Sequence, residues 1–312
     1  MGEEPKIIRE REARAILAEL EERCGDFEGF WAAFADAPSY AEGLLKLRER
    51  VDPEKPYFVG RLNNGIRFVG DARDYASVLH ALDPATNATL IQEMIALLGD
   101  RAGAVVDAGA NIGVVTASLA RHIAGRGHVY AFEPAPETCR LAAGTLALNN
   151  LDNVTLVEAA LSDIDHRAAF QTTPGNSAIA SAFRHSFDMA NEWKEVVVQY
   201  IKLDTFFSAQ ENLPLSLIKI DVEGHELRVI RGAERAIRAS APAVIYEYTP
   251  TMAVEYGWSD QDSIDLLNAL RPFVFDAVLE DGTGVHHPFP LPGDLALQVN
   301  VFAVPRVAGQ DL

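Results

Sequence analysis

Five short apolar runs, at 104–107, 128–132, 154–160, 217–221 and 243–248, punctuate the middle of this chain, and helix-patterned stretches fit between them at 112–123, 136–149 and 225–239. A run that is apolar on nearly every residue belongs to a strand buried on both faces. Strands of that kind separated by helices form a parallel sheet covered on either side, because parallel neighbours need a long crossover. The last block breaks the rhythm. Runs at 274–279 and 295–304 are joined by a Gly- and Pro-rich stretch and read as an antiparallel pair at the sheet's end.

Ahead of this block, residues 6–50 carry helical spacing, with Ile8, Ala15, Ile16 and Leu20 in one stretch and Phe30, Trp31 and Phe34 in another, parted by Cys24-Gly25-Asp26. Runs at 57–62 and 66–69 flank Asn63-Asn64-Gly65, a hairpin signal. The expected organisation is a helical segment with a hairpin over 1–85, followed by the main α/β domain over 86–312. The stretch 165–195 does not fit the alternation, and its Thr172-Thr173-Pro174-Gly175-Asn176-Ser177 reads as a loop or lid inserted near the site.

A chain of 312 residues with 48% hydrophobic content buries one large core, or a core plus a small appended domain. Cys24 and Cys139 stand in no metal-ligand spacing and read as reduced thiols. The charged run Arg9-Glu10-Arg11-Glu12 lacks the apolar core of a secretory signal, and no run of about 18 apolar residues spans a membrane, so the expectation is a cytoplasmic protein without a membrane partner. A formal charge of -18 repels phosphate backbones and disfavours a nucleic-acid partner; Arg61, Arg67 and Arg73 are the residues that would have to form a local basic patch.

Four motifs carry chemistry. Val105-Val106-Asp107-Ala108-Gly109-Ala110-Asn111-Ile112-Gly113 is a buried strand ending in an acid and running through a small-residue turn into a helix. Glycines there let the backbone approach a ligand, and Asn111 tolerates the left-handed conformation a third glycine would otherwise supply. A dinucleotide site would want G-x-G-x-x-G for a pyrophosphate, and only Gly109 and Gly113 are in register. Asp107 instead suits a cationic ligand, ordering the loop and facing a methionine ammonium. The alternative is a strand-turn-helix with no ligand.

Val129-Tyr130-Ala131-Phe132-Glu133-Pro134 ends a second strand in a carboxylate able to accept both hydrogen bonds of a ribose diol, with Pro134 ending the strand. At Ala159-Ala160-Leu161-Ser162-Asp163, main-chain groups at Leu161 and the side chains of Ser162 or Asp163 either meet an adenine edge or cap a turn. Finally, Ile218-Lys219-Ile220-Asp221-Val222-Glu223-Gly224-His225-Glu226 gathers four ionisable groups at the carboxyl end of a buried strand, where open α/β sheets bind their ligands. Asp221 and Glu226 alternatively cap the following helix.

Together these motifs resemble the FkbM family of methyltransferases, whose pattern runs close to V-D-x-G-A-N-I-G, A-F-E-P, A-L-S-D and I-K-I-D-V-E-G-H-E. The resemblance covers roughly residues 100–250. It implies a Rossmann-like, seven-stranded class I methyltransferase sheet, S-adenosyl-L-methionine as methyl donor, and O-methylation of sugars or secondary metabolites; the antiparallel ending is common in methyltransferases. By motif position it assigns Asp107, Gly109, Asn111 and Gly113 to the methionine part, Glu133 to the ribose, Ser162 and Asp163 to the adenine side, and Asp221 and His225 to the acceptor. Ala108 and Val114-Val115 depart from the residues relatives often carry, which bears on pocket shape.

A hydroxyl acceptor must lose its proton, and His225, with an unperturbed pKa of about 6.5, is the natural general base, oriented by Asp221 or Glu223. A second route is a divalent cation such as Mg²⁺ on Asp221 and Glu247; Glu247 alternatively pairs with a cation or holds the acceptor. His286-His287 lies in a Gly/Pro-rich loop and reads as solvent-exposed. Two other classes remain as alternatives: a catalytically silent S-adenosylmethionine-binding protein, and a nicotinamide oxidoreductase, which lacks its phosphate-binding glycines here. Residues 1–85 and 165–195 are expected to shape the acceptor pocket or to mediate a homodimer.

Overall fold

In the computed structural model, which describes residues 4–25, 40–101, 103–173, 175–181, 193–208, 214–279, 283–291 and 298–306, the chain begins with a strand rather than a helix. The strands are β1 (Lys6–Ile8), β2 (Tyr57–Arg61), β3 (Arg67–Asp71), β4 (Gly103–Ala108), β5 (Gly127–Phe132), β6 (Val154–Glu158), β7 (Ala160–Leu161), β8 (His166–Thr172), β9 (Lys194–Ile201), β10 (Leu215–Ile220), β11 (Ala243–Tyr248), β12 (Phe273–Leu279), β13 (His286–Pro288) and β14 (Val299–Pro305). Among the described residues the main sheet has nine strands in the order β1-β6-β5-β4-β10-β11-β14-β12-β13. Its parallel centre, β6-β5-β4-β10-β11, follows the third-second-first-fourth-fifth order of doubly wound folds. Beyond it β14 inserts antiparallel between β11 and β12, which a dinucleotide sheet does not do. The expected seven-stranded sheet is therefore present, widened by β1 at one edge and β13 at the other.

Alternation along β4 builds both faces of the core. Val105 joins a cluster with Leu20, Phe58, Phe68, Met94 and Leu119, while Val106 points to the opposite face with Phe132, Ile218, Ile237 and Tyr246. The first cluster runs across the division expected at 85/86. Ile8, Leu20, Phe58 and Phe68 share one core with β4, and Ile7 of β1 pairs with Val157 of the main sheet. The N-terminal segment buries its apolar face on the sheet and its helices, and each large side chain so buried contributes about 1.5–3 kcal/mol.

The N-terminal helices are α1 (Glu10–Glu22), α2 (Tyr40–Arg50), α3 (Tyr75–Leu82) and α4 (Ala88–Leu98); Phe30, Trp31 and Phe34 lie outside the described residues. The hairpin forms as expected, with β2 antiparallel to β3. A side chain at Gly60 would collide with the Phe68 ring, so this glycine makes room for an aromatic that fills the core. The 165–195 stretch is not simply a loop: β8 and β9 pair antiparallel, and β7 joins them in a second sheet. The run at 154–160 accordingly splits, Val154–Glu158 staying in the main sheet and Ala160–Leu161 leaving it.

The remaining helices are α5 (Val114–His122), α6 (Pro136–Leu148), α7 (Leu203–Ser208), α8 (Glu226–Gly232), α9 (Glu234–Ser240), α10 (Pro250–Glu255) and α11 (Asp260–Leu270). The single helix expected at 225–239 is two, α8 and α9, with Ala233 as the break between them. Gly232 there packs directly on the Ser162 carbonyl. No described helix is long and apolar enough to cross a membrane.

Candidate active site

The turn after β4 is held from beneath. Asp107 is fully buried, accepts the Thr116 hydroxyl at 2.5 Å and lies 3.2 Å from Lys219 Nζ. Lys219 is also buried; it donates to the Gly109 carbonyl at 3.0 Å and stands 3.3 Å from Asp221. Burial alone would lower the Lys219 pKa, but the carboxylates of Asp107 and Asp221 outweigh it and hold the ammonium charged. Asp107 thus orders the loop, as its position suggests, from a fully buried place where its carboxylate turns to Thr116 and Lys219. Sequence reasoning passed over Lys219, whose charge on an otherwise uncharged strand, two residues before Asp221, was the available signal.

Above that base, Gly109 adopts φ +80° with its Cα against the Asp221 carbonyl, where any side chain would collide. Asn111 is left-handed at φ 48°, and its N–H donates to Glu133 Oε2 at 2.9 Å. Ala135 N–H donates to the other oxygen, Glu133 Oε1, at 2.9 Å. Each oxygen keeps a lone pair for a further donor. Burial pushes the Glu133 pKa up to about 7, against the pull of the Ala135 and Asn111 amides. Gly113, at φ +83°, caps α5 and packs on Ala142 of α6 instead of the cavity.

At the end of β10 the chain turns through Glu223 at φ 56° and Gly224 at φ 98°. Glu226 holds this turn, its Oε1 accepting from Val222 N at 3.2 Å and Gly224 N at 3.0 Å, while Trp258 Nε1 donates to the Gly224 carbonyl at 3.1 Å. Glu226 is therefore a buried brace of the turn. The His225 ring meets Tyr256 edge-on at 5.1 Å.

These parts converge on one cavity of about 480 Å³, at the carboxyl ends of β4, β5, β10 and β11. Gly109, Asn111, Glu133, Pro134, Leu161, Asp221, Glu223 and His225 line it. Ser162 and Asp163 do not. Ser162 donates to Asp163 at 3.2 Å, and Asp163 pairs with Arg228 at 3.3 Å, so they follow the chain into the second sheet and serve the turn. Glu247, from β11, also lines the cavity and accepts a hydrogen bond from Gln298. Carboxylate oxygens of Asp221, Glu223 and Glu247 come within 4.8 Å of one another.

The far wall comes from segments that carry no motif. Ser177 donates its hydroxyl toward Asp74 at 3.1 Å and Asn111 at 3.3 Å, and its N–H to Asp74 at 2.6 Å. Asp74 also accepts Ser77 N–H at 2.9 Å as the N-cap of α3. Residues 177–180 thereby form one side of the cavity and Tyr75, Leu79 and His80 of α3 another. His286 lies elsewhere, 3.3 Å from Glu93. Of the arginines singled out for a basic patch, Arg73 is paired with Asp71 and Arg67 donates to the Leu148 carbonyl at 2.6 Å.

The methyltransferase FkbM domain model matches residues 107–274, more than half of the chain, and the chain belongs to this family. It is 32% identical over 145 residues to Methyltransferase 1 of Beauveria bassiana (strain ARSEF 2860), covering 42% of this chain and 58% of that protein. The chain thus spans a little over half the length of this curated relative. Its structure is similar to the FkbM methyltransferase of Methylobacillus flagellatus KT, at 16% identity and a TM-score of 0.44 over 93% of this chain and 58% of that one. It is also similar to an O-methyltransferase from Bacillus cereus, at 14% identity and a TM-score of 0.40 over 70% of this chain and 80% of that one.

Proposed function

We propose that the cavity binds S-adenosylmethionine and that the chain passes its methyl group to a hydroxyl of a sugar or secondary metabolite. The observation that carries this reading is the convergence, on one cavity, of the 109–111 turn, the Glu133 carboxylate and the 221–225 turn. The residues fit the donor part by part. The two free lone pairs of Glu133 suit a ribose diol, Phe132, Pro134, Ala160 and Leu161 give an apolar wall for a purine, and the 109–111 backbone lies open to the methionine chain.

When bound, the donor supplies a methyl carbon on a cationic sulfur, whose charge is neutralised as the methyl leaves. The protein's task is then to align the acceptor oxygen behind that carbon and exclude water. His225 takes the hydroxyl proton, and Asp221 and Glu223, on the same turn, hold the acceptor and balance the imidazolium. A net charge of -18 supports a small-molecule acceptor over a nucleic acid.

Transfer of tritiated methyl from the donor to a panel of hydroxylated small molecules tests the reading. His225→Ala is expected to lower turnover about 10²- to 10⁴-fold with unchanged affinity for S-adenosylhomocysteine; near-normal turnover would remove His225 from the chemistry. The meeting of Asp221, Glu223 and Glu247 favours one second reading, a divalent cation on their oxygens that acidifies the acceptor. Undiminished transfer in chelator eliminates it.

A further inference from the structure

Two aromatic residues from beyond α10 close on the turn that carries His225. Trp258, 7% exposed, donates its Nε1 to the Gly224 carbonyl at 3.1 Å. Tyr256 lays its ring against the Cα of the same glycine, where a side chain on residue 224 would collide with the ring carbons Cε2 and Cδ2. The imidazole of His225 meets this ring too, with centroids 5.1 Å apart and planes at 77°, the edge-to-face arrangement that aromatic pairs prefer.

Tyr256 is itself held at both ends. Its backbone N–H donates to the Met252 carbonyl at 2.9 Å, where α10 stops, and its hydroxyl lies 3.4 Å from Ser181 Oγ. Ser181 is fully buried and exchanges both backbone hydrogen bonds with Gln171 of β8, at 2.7 and 3.0 Å. It also directly follows residues 177–180, which form one side of the cavity. One ring thus spans from the second sheet to the His225 turn.

A general base works only when its ring is aimed at the proton it takes, and the side-chain torsions of a histidine on a turn must be fixed from outside. We propose that Tyr256 is the positioning residue for His225: its ring sets the orientation of the imidazole in the cavity, and its hydroxyl ties that orientation to the 177–181 wall. This rests on the methyl-transfer reading of the cavity and adds to it a residue that acts through His225.

The test is the rate at which diethyl pyrocarbonate modifies each histidine of the full chain, read by peptide mass spectrometry. Tyr256→Leu frees and uncovers the imidazole and should speed His225 about threefold or more over wild type. Tyr256→Phe keeps the ring and should restore a rate within about twofold of wild type. His80, buried on α3, gauges general loosening and should not change in either variant. Equal His225 rates in wild type and Tyr256→Leu, equal rates in the two variants, or a rise at His225 that only keeps step with His80 would each overturn the proposal. If Tyr256→Leu does not fold, Tyr256→Met fills the space without a ring and takes its place; if neither folds, Tyr256→Phe decides, since faster modification of His225 there would mean that the ring does not hold it. For a hydroxylated compound that wild type methylates, kcat in Tyr256→Leu should fall about tenfold below that in Tyr256→Phe, with equal S-adenosylhomocysteine affinity; a loss of that affinity as large as the loss in kcat would also overturn the proposal. If wild type methylates none of the compounds, the methyl-transfer reading fails separately, and the modification rates still decide whether Tyr256 positions His225.

Discussion

The two sides of the cavity are built in opposite ways. On the donor side, the turn after β4 and the end of β5 satisfy each other: Asn111 and Ala135 amides meet Glu133, and Gly109 and Ala110 amides meet the Phe132 carbonyl, both at 3.0 Å. These bonds lie within two adjacent strands and their turns, above the buried Asp107–Lys219 pair. On the other side, Ser177, the 221–225 turn with Asp221, Glu223 and His225, Glu247 and Gln298 come from four separate stretches of chain. Tertiary packing brings them together, and one of them, Glu223, sits in a left-handed conformation. A site whose parts answer one another locally is a fixed cradle; one assembled from distant loops is free to differ in what it accepts.

The contrast is sharpest at the buried ion pair. Asp107→Ala is expected to destabilise the fold by about 3 kcal/mol, because it strands the Lys219 ammonium with only Asp221 beside it. Urea unfolding measures this, and a loss below about 1 kcal/mol would mean that the cradle does not depend on its base.

A somewhat smaller effect belongs to Glu226 and pH. Its folded pKa of about 7 lies above the ordinary 4.5, raised by burial against the amides that bond to it. Its contribution to stability is therefore complete below about pH 4.5 and is lost as pH rises through about 7. Glu226→Gln keeps an oxygen for the Val222 and Gly224 amides but has no charge to bury. It should gain about 2 kcal/mol relative to wild type between pH 5 and pH 8, and parallel pH profiles would break the assignment of Glu226 as a brace. Smallest is Ser177→Ala, which unlinks the 177–180 wall from Asn111 and Asp74. About 1 kcal/mol of S-adenosylhomocysteine affinity should go with it, and no change would show that the wall and the cradle are independent.

The same contrast decides what was legible in the sequence. Strand-end acids and glycines on consecutive residues display that side of the cavity directly, since Gly109, Asn111 and Glu133 line it where their own strands end. Asp107 and Glu226 were legible as motif members, Asp107 also as ordering its loop and Glu226 as a helix cap, but their burial was not, because a carboxylate at a strand end looks the same whether a ligand or a lysine answers it. Ser162 and Asp163 stand outside the cavity lining for a different reason: Ser162 N–H donates to the Ile201 carbonyl at 2.9 Å, a bond to a distant strand. β1 is three residues long, too short to show a period. In the 165–195 stretch, β8 shows no clean alternation and most of β9 lies beyond 195, so only the turn residues carried a signal.

The most direct test of the cavity's assignment is calorimetric titration of wild type and Glu133→Ala with S-adenosylhomocysteine, each checked for folding by its unfolding transition. Binding by wild type that falls about tenfold or more in the folded variant is the expected result. Absence of binding by folded wild type, or equal affinity in both proteins, would contradict a donor site at the ends of β4 and β5.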